Sequence, residues 1–262
     1  MKKITTFIAA ASMTLALSGA AHALTVANNW TLDLSAYGAG TYTNIDYMNI
    51  GGQSSVVQHF NSPFTLANGD TFTESGKFFF NSYFDESNTP QNMSLAGKFL
   101  YIDIVGLTGS VYNVTGTAFD YKFTPGVGTI KMYLDADTNP GNGATLLASL
   151  SLQAPSGGHN NGLPLGGAGI NGTSDLTGLF TSIAPGVFSA GGVDFATVPA
   201  AFGLANTNNL LRSQTIISAD SAQLTFNSGG QFNTAVPEPG TMVLLGAGLF
   251  GLAIFSRRKS SK

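Results

Sequence analysis

No cysteine occurs in the 262 residues, so neither disulfides nor thiol chemistry hold or run this protein. Charge is scarce as well. Between residues 24 and 234 five cations (Lys77, Lys98, Lys122, Lys131, Arg212) stand against thirteen carboxylates, a net charge of −8 where the whole chain carries −3. Such a mildly acidic, charge-poor body lacks the basic face that nucleic acid or anionic lipid requires. Histidine appears three times, and only His59 and His159 fall in that body, which argues against a His-rich metal site. No stretch of the body has a helical apolar period. What remains abundant is Thr, Ser, Asn and Gly, a neutral hydrogen-bonding surface suited to other neutral polar polymers.

The two ends differ from this middle. Lys2 and Lys3 precede an apolar run from Ile4 to about Leu17, and Ala21-His22-Ala23 follows. A basic head, a short apolar middle and a small-x-small exit predict a secretory signal peptide over 1–23, cut after Ala23. Signal peptidase and the export machinery are the partners this implies.

At the other end, "AVPEPGTMVLLGAGLFGLAIFSRRK" spans residues 235–259. Met242 to Phe255 carries no charge; its fourteen residues reach roughly 21 Å as a helix, short of a ~30 Å hydrocarbon core. Its eight strong hydrophobes favour insertion by only about 2.4 to 4.8 kcal/mol before the glycines are counted. The sequence therefore predicts a short hydrophobic helix that enters a membrane transiently. Arg257, Arg258 and Lys259 act as the stop and stay cytoplasmic. Pro237 and Pro239 pin Glu238 in an extended conformation of the kind a processing enzyme's groove binds. A rigid motif, a weak span and a basic stop follow the logic of tails that are removed and exchanged.

This tail resembles the PEP-CTERM sorting signal of Gram-negative bacteria, with Pro237-Glu238-Pro239, the apolar run and the Arg/Lys cluster in the same order. The resemblance implies processing by an exosortase, a membrane protease-transpeptidase, and an address at the cell surface or extracellular matrix. The body resembles flocculation-associated PEP-CTERM proteins in "WTLDLSAYGAGTYTNIDYMNIGG", "FTPGVGTIKMYLDAD", "LQAPSGG" and "NTNNLL". That likeness implies a role in bacterial aggregation, flocculation or biofilm formation within secreted exopolysaccharide, and assigns no site residue.

The body, residues 24–234, reads as one all-β domain. In "AFDYKF" Phe119, Tyr121 and Phe123 oppose Asp120 and Lys122, the period of a half-buried strand; "TIKMYL" and "KFLYIDIV" repeat it. Pro125-Gly126 between the first two predicts a hairpin, as does Asn68-Gly69 in "FTLANGDTFTESG". "AQLTFN" and "QFNTAV", separated by Ser228-Gly229-Gly230, read as a last strand pair. The glycine-rich stretch from Ala154 to Gly192 reads as a long loop with short strands. Strands every 8–14 residues predict a β-sandwich or jelly roll.

Chemistry is sparse. Asp135, Asp137 and Asn139 hold positions 1, 3 and 5 of a calcium loop, but Pro140 replaces its glycine and Leu146 its glutamate, so it is no EF-hand. A looser Ca²⁺ site and ordinary turn chemistry both remain open. Ser156 and His159 lack a nucleophile elbow. Asp85 and Glu86, adjacent in sequence, face apart rather than across a substrate. Trp30 offers an apolar face for sugar stacking, though strand aromatics are mostly core. The expectation is a non-enzymatic structural or adhesive matrix protein. A carbohydrate-binding module with calcium support is the alternative, and a polysaccharide-active enzyme the third reading.

Overall fold

A computed structural model describes residues 24–164 and 169–237. These residues form strands and two 3₁₀ turns, with no α-helix among them. The strands are β1 (Leu24–Val26), β2 (Trp30–Asp33), β3 (Thr41–Ile45), β4 (Tyr47–His59), β5 (Thr71–Phe84), β6 (Pro90–Asn92), β7 (Phe99–Thr115) and β8 (Ala118–Phe123). They continue as β9 (Thr129–Asp135), β10 (Thr145–Asn161), β11 (Asn171–Ile183), β12 (Phe188–Ala190), β13 (Val193–Asp194), β14 (Ala201–Ser218) and β15 (Ser221–Pro237). Residues Val26–Val236 make one compact unit.

The expected sandwich is a barrel. Antiparallel pairing runs β4–β5–β7, then through β8 and β9 to β10, β11, β14 and β15. β15 then returns to β4 in unbroken register from Ser221 opposite His59 to Phe232 opposite Met48. That last pairing turns an open meander into a closed eight-stranded barrel, and a closed sheet needs no second sheet to cover its apolar face.

β8 and β9 share one of the eight positions. Both run antiparallel to β7, β8 against Gly109–Thr115 and β9 against Phe99–Val105, and both pair with β10 on their other side. The expected hairpin at Pro125-Gly126 is therefore a bulged excursion within one strand line. It is stitched to both neighbours, the Thr124 N–H donating to the Thr108 carbonyl (2.8 Å) and the Gly126 N–H to that of Leu152 (2.9 Å). Three more expectations change. "AQLTFN" and "QFNTAV" lie on one strand, β15. Asn68-Gly69 does turn, with φ +92° at Gly69, but no strand precedes it; the paired strands are β4 and β5. The glycine-rich Ala154–Gly192 stretch contributes much of β10 and all of β11.

Alternation explains the wall. In β8 Phe119, Tyr121 and Phe123 face inward and are buried. In β15 Leu224, Phe226 and Phe232 are buried while Gln223, Thr225, Asn227, Gln231 and Asn233 are not. In these two strands the inward set is mainly apolar and the outward set polar. Several inward positions carry glycine because a ring from the facing strand fills their place. A Cβ on Gly109 would lie 2.3 Å from Cζ of Phe72, its cross-strand partner, and one on Gly178 would lie 2.3 Å from Cε1 of Phe202.

A second sheet, in the order β13–β12–β2–β3, brings Trp30 to the barrel core. Trp30 is fully buried, its ring 5.9 Å from Phe188 and 6.5 Å from Phe232, and its Nε1–H donates to the Asp46 carbonyl (3.3 Å). Phe232 also meets Phe80 at 5.3 Å and Phe202 at 6.3 Å. Each such side chain contributes roughly 1.5–3 kcal/mol by burial. A ring so enclosed has no face left for a sugar, so Trp30 is a core residue and not a stacking platform.

Candidate functional site

The outer wall of the barrel carries a groove of about 970 Å³ across β7, β8, β10 and β11. Register builds it. Tyr112, Asp120, His159 and Thr173 are successive cross-strand partners and form one outward row. Ser110, Lys122, Gly157 and Asp175 form the next. Gly157 interrupts that second row and supplies a floor of main chain. A side chain there is excluded, since its Cβ would lie 2.2 Å from the Tyr121 carbonyl oxygen.

One end of the groove is held by a bulge in β10 between Gln153 and Gly157. Ser156 is buried there; its hydroxyl donates to the Gln153 carbonyl (2.6 Å) and accepts the Thr177 N–H (2.9 Å), while Thr177 Oγ1 donates to the Pro155 carbonyl (2.7 Å). Ser156 is thus a structural pin. His159 turns to Asp120 instead, Nδ1 to Oδ1 at 2.6 Å. The structure does not bring the Ser156 and His159 side chains together as nucleophile and base.

The polar row is ordered electrostatically. The Asn113 amide, donating to Asp120 Oδ2 (2.6 Å), and His159 beside it hold the Asp120 carboxyl below the usual carboxylate range. The hydrogen bond from His159 Nδ1 to Asp120 raises His159 above the usual imidazole range. Lys122 Nζ stands 5.9 Å from the Tyr112 ring, which is 45% exposed. An open trough with a flat aromatic face, a carboxylate acceptor and imidazole and ammonium groups can bind a polyol chain through stacking and hydrogen bonds. Nothing in the sequence singles out Tyr112 among the eight tyrosines that could stack on sugar rings, nor Asp120 as a site, although the alternation of "AFDYKF" already turned Asp120 and Lys122 outward.

The Asp135–Asn142 loop is a run of side-chain turns. Asp137 accepts the Asn139 N–H (3.0 Å) and the Asn142 amide (3.1 Å), and Asn139 Oδ1 accepts the Gly141 N–H (3.2 Å). Lys77 Nζ donates to the Thr138 carbonyl (2.5 Å), placing a cation beside these acids. Asp135 is buried, with Oδ1 on the Ala136 N–H (2.7 Å) and Oδ2 without a partner. Among the described residues no three His, Cys, Asp or Glu side chains are grouped to hold a metal ion. Asp85 caps its own turn, accepting the Ser87 N–H (3.1 Å) and hydroxyl (2.5 Å).

At the C-terminal side β15 runs through Ala235, opposite Ala201, to Pro237. Glu238, Pro239, Arg257, Arg258 and Lys259, the expected short helix, and the signal cleavage site at Ala21 and Ala23 lie outside the described residues. Among the described residues no helix is long and apolar enough to cross a membrane. No curated protein and no solved structure matches the chain. Residues 235–259 match the PEP-CTERM protein-sorting motif. That motif implies export through the inner membrane to the cell surface, with an exosortase as the processing partner, and by it the chain is a PEP-CTERM protein.

Proposed function

We propose that the barrel is a non-enzymatic, adhesive component of an exopolysaccharide matrix, displayed at the surface of a Gram-negative bacterium and acting in aggregation. The observation that supports this reading best is the outward polar row Tyr112–Asp120–His159–Thr173 beside a glycine floor. A trough open along its length accepts the middle of a chain, where an enzyme pocket encloses a reacting bond. Each contact is weak and solvated. Many copies on one surface, meeting many repeats on one polymer, convert weak contacts into adhesion by raising effective concentration.

The test separates display from recognition. Deleting Pro237 to Lys262 removes the sorting motif and is expected to abolish cell aggregation while the barrel is still exported. Tyr112→Ala, at an exposed position, is expected to leave the melting temperature within about 2 °C and to weaken retention on the producer's own polysaccharide at least tenfold. Aggregation that survives the deletion, or retention unchanged in Tyr112→Ala, overturns the proposal. A second reading, a dedicated carbohydrate-binding module, rests on the same groove. A single oligosaccharide bound at micromolar strength on a glycan array favours it over diffuse adhesion.

A further inference from the structure

The barrel interior is not filled throughout. Beyond the aromatic end at Trp30 and Phe232 it holds a partly open cavity of about 60 Å³, to which all eight strand positions contribute wall residues. At roughly 10–15 Å³ per water this holds about four to six waters, or a small organic molecule of similar size. Phe72, Phe78, Phe119, Tyr121, Phe123 and Phe226 supply ring faces.

Two acceptors in this wall stand out. Glu74 on β5 is partly buried and lines the cavity. Burial raises its carboxyl, partly offset by a hydrogen bond with Ser54. Asn160 on β10 lines the same cavity; it is 6% exposed, and its Oδ1 has no hydrogen-bond partner. No Lys, Arg or His lines the cavity. The neighbours that face Glu74 are Val56 on β4 and Leu107 on β7, and Tyr121 on β8 is the one other ionisable group in the wall.

A ligand that completes this site must bring donors and positive charge. A carboxylate would set acceptor against acceptor and charge against charge. An alcohol has one donor for two acceptors. An ammonium group has three donors and no acceptor, and its charge is attracted both by a carboxylate and by aromatic faces. We propose that the barrel interior binds a small primary alkylammonium ion, with its head on Glu74, Asn160 Oδ1 as the second acceptor and its chain among the phenylalanine rings. This site is separate from the outer groove and does not depend on the matrix reading.

Isothermal titration of the full-length protein with n-pentylammonium at pH 7 tests it, with n-pentanol, pentanoate and tetramethylammonium in parallel. One equivalent of pentylammonium is expected to bind, at least tenfold more tightly than any of the other three. Glu74→Gln, near-isosteric and without the charge, is expected to lose at least tenfold, and Asn160→Ala a smaller factor. No binding at millimolar concentration, pentanol binding as tightly as the amine, or undiminished affinity in Glu74→Gln each overturns the proposal.

Discussion

Gly178→Ala tests whether the glycines of the barrel wall exist to seat aromatic rings. The added Cβ would lie 2.3 Å from Cε1 and 2.6 Å from Cζ of Phe202, and 2.4 Å from the Ser151 carbonyl oxygen. The oxygen belongs to the β10 ladder and cannot retreat without breaking register. The ring has no room either: Phe202 is 3% exposed, with Phe180 at 6.0 Å and Phe232 at 6.3 Å. Overpacking of this kind costs about 1–3 kcal/mol. For a domain of this size each kcal/mol moves the melting temperature by roughly 2–4 °C, so a fall of about 2–12 °C is expected. The control sits one ladder step away. Gly203 pairs with Thr177, and a Cβ there would meet nothing closer than the Leu176 carbonyl oxygen at 4.0 Å. Gly203→Ala should gain about 0.4–1 kcal/mol by restricting the unfolded chain. Thermal unfolding followed by circular dichroism reads both. A Gly178→Ala variant as stable as the wild type, or two variants shifted in the same direction, would refute the ring-seating argument.

Two further predictions concern charge. Glu74 is raised above its ordinary 4.5 by burial, so in the window above that value the folded state holds a proton that the unfolded state has released, and stability falls as pH rises. Glu74→Gln removes this fall; urea unfolding should show the variant more stable than wild type at pH 7, with the gap closing towards pH 4. A gap of constant size would reject the assignment. In the Asp135–Asn142 loop the turn hydrogen bonds and Lys77 already occupy most of the oxygens, so melting temperatures in excess EDTA and in millimolar Ca²⁺ should agree within about 1 °C. A calcium-dependent rise that disappears in the Asp135→Ala, Asp137→Ala variant would show that Asp135 Oδ2 turns to a cation.

Local patterns carried the strands, and long-range pairing carried the architecture. Phe119, Tyr121 and Phe123 announce β8 because every inward position bears a ring, and Ile130, Met132 and Leu134 announce β9 in the same way. Their relation to each other was not legible. Pro125-Gly126 has the composition of a hairpin turn, yet both strands are claimed by the same two neighbours, and that choice is made by β7 and β10. The glycine-rich part of β10 and β11 was illegible for a different reason. At Gly158 and Gly178 the apolar group filling the inward position belongs to Tyr121 or Phe202 on the facing strand, so the alternation is split between two segments of sequence. Closure itself rests on β15 meeting β4, from Ser221 on His59 to Phe232 on Met48, and no local signal encodes a pairing over such a separation. The sorting tail was legible because its motif acts as a linear segment. The groove was not, because its rows exist only once four strands are in register.

That dependence on register ties the proposed function to the fold. An exported chain without cysteine has no covalent brace, and closing the sheet gives each barrel strand a neighbour on both sides, where an open sheet would expose two hydrogen-bonding edges. The packed interior then fixes the pleat of every strand, because a slip by one residue would exchange its inner and outer sets. In β8 such a slip would bring Asp120 and Lys122 into the apolar interior and send Phe119, Tyr121 and Phe123 to the surface, which burial alone forbids. The same constraint holds Tyr112, Asp120, His159 and Thr173 abreast on the outside. The core therefore positions the outer row, and core substitutions that loosen β8 should impair polymer binding without touching the groove.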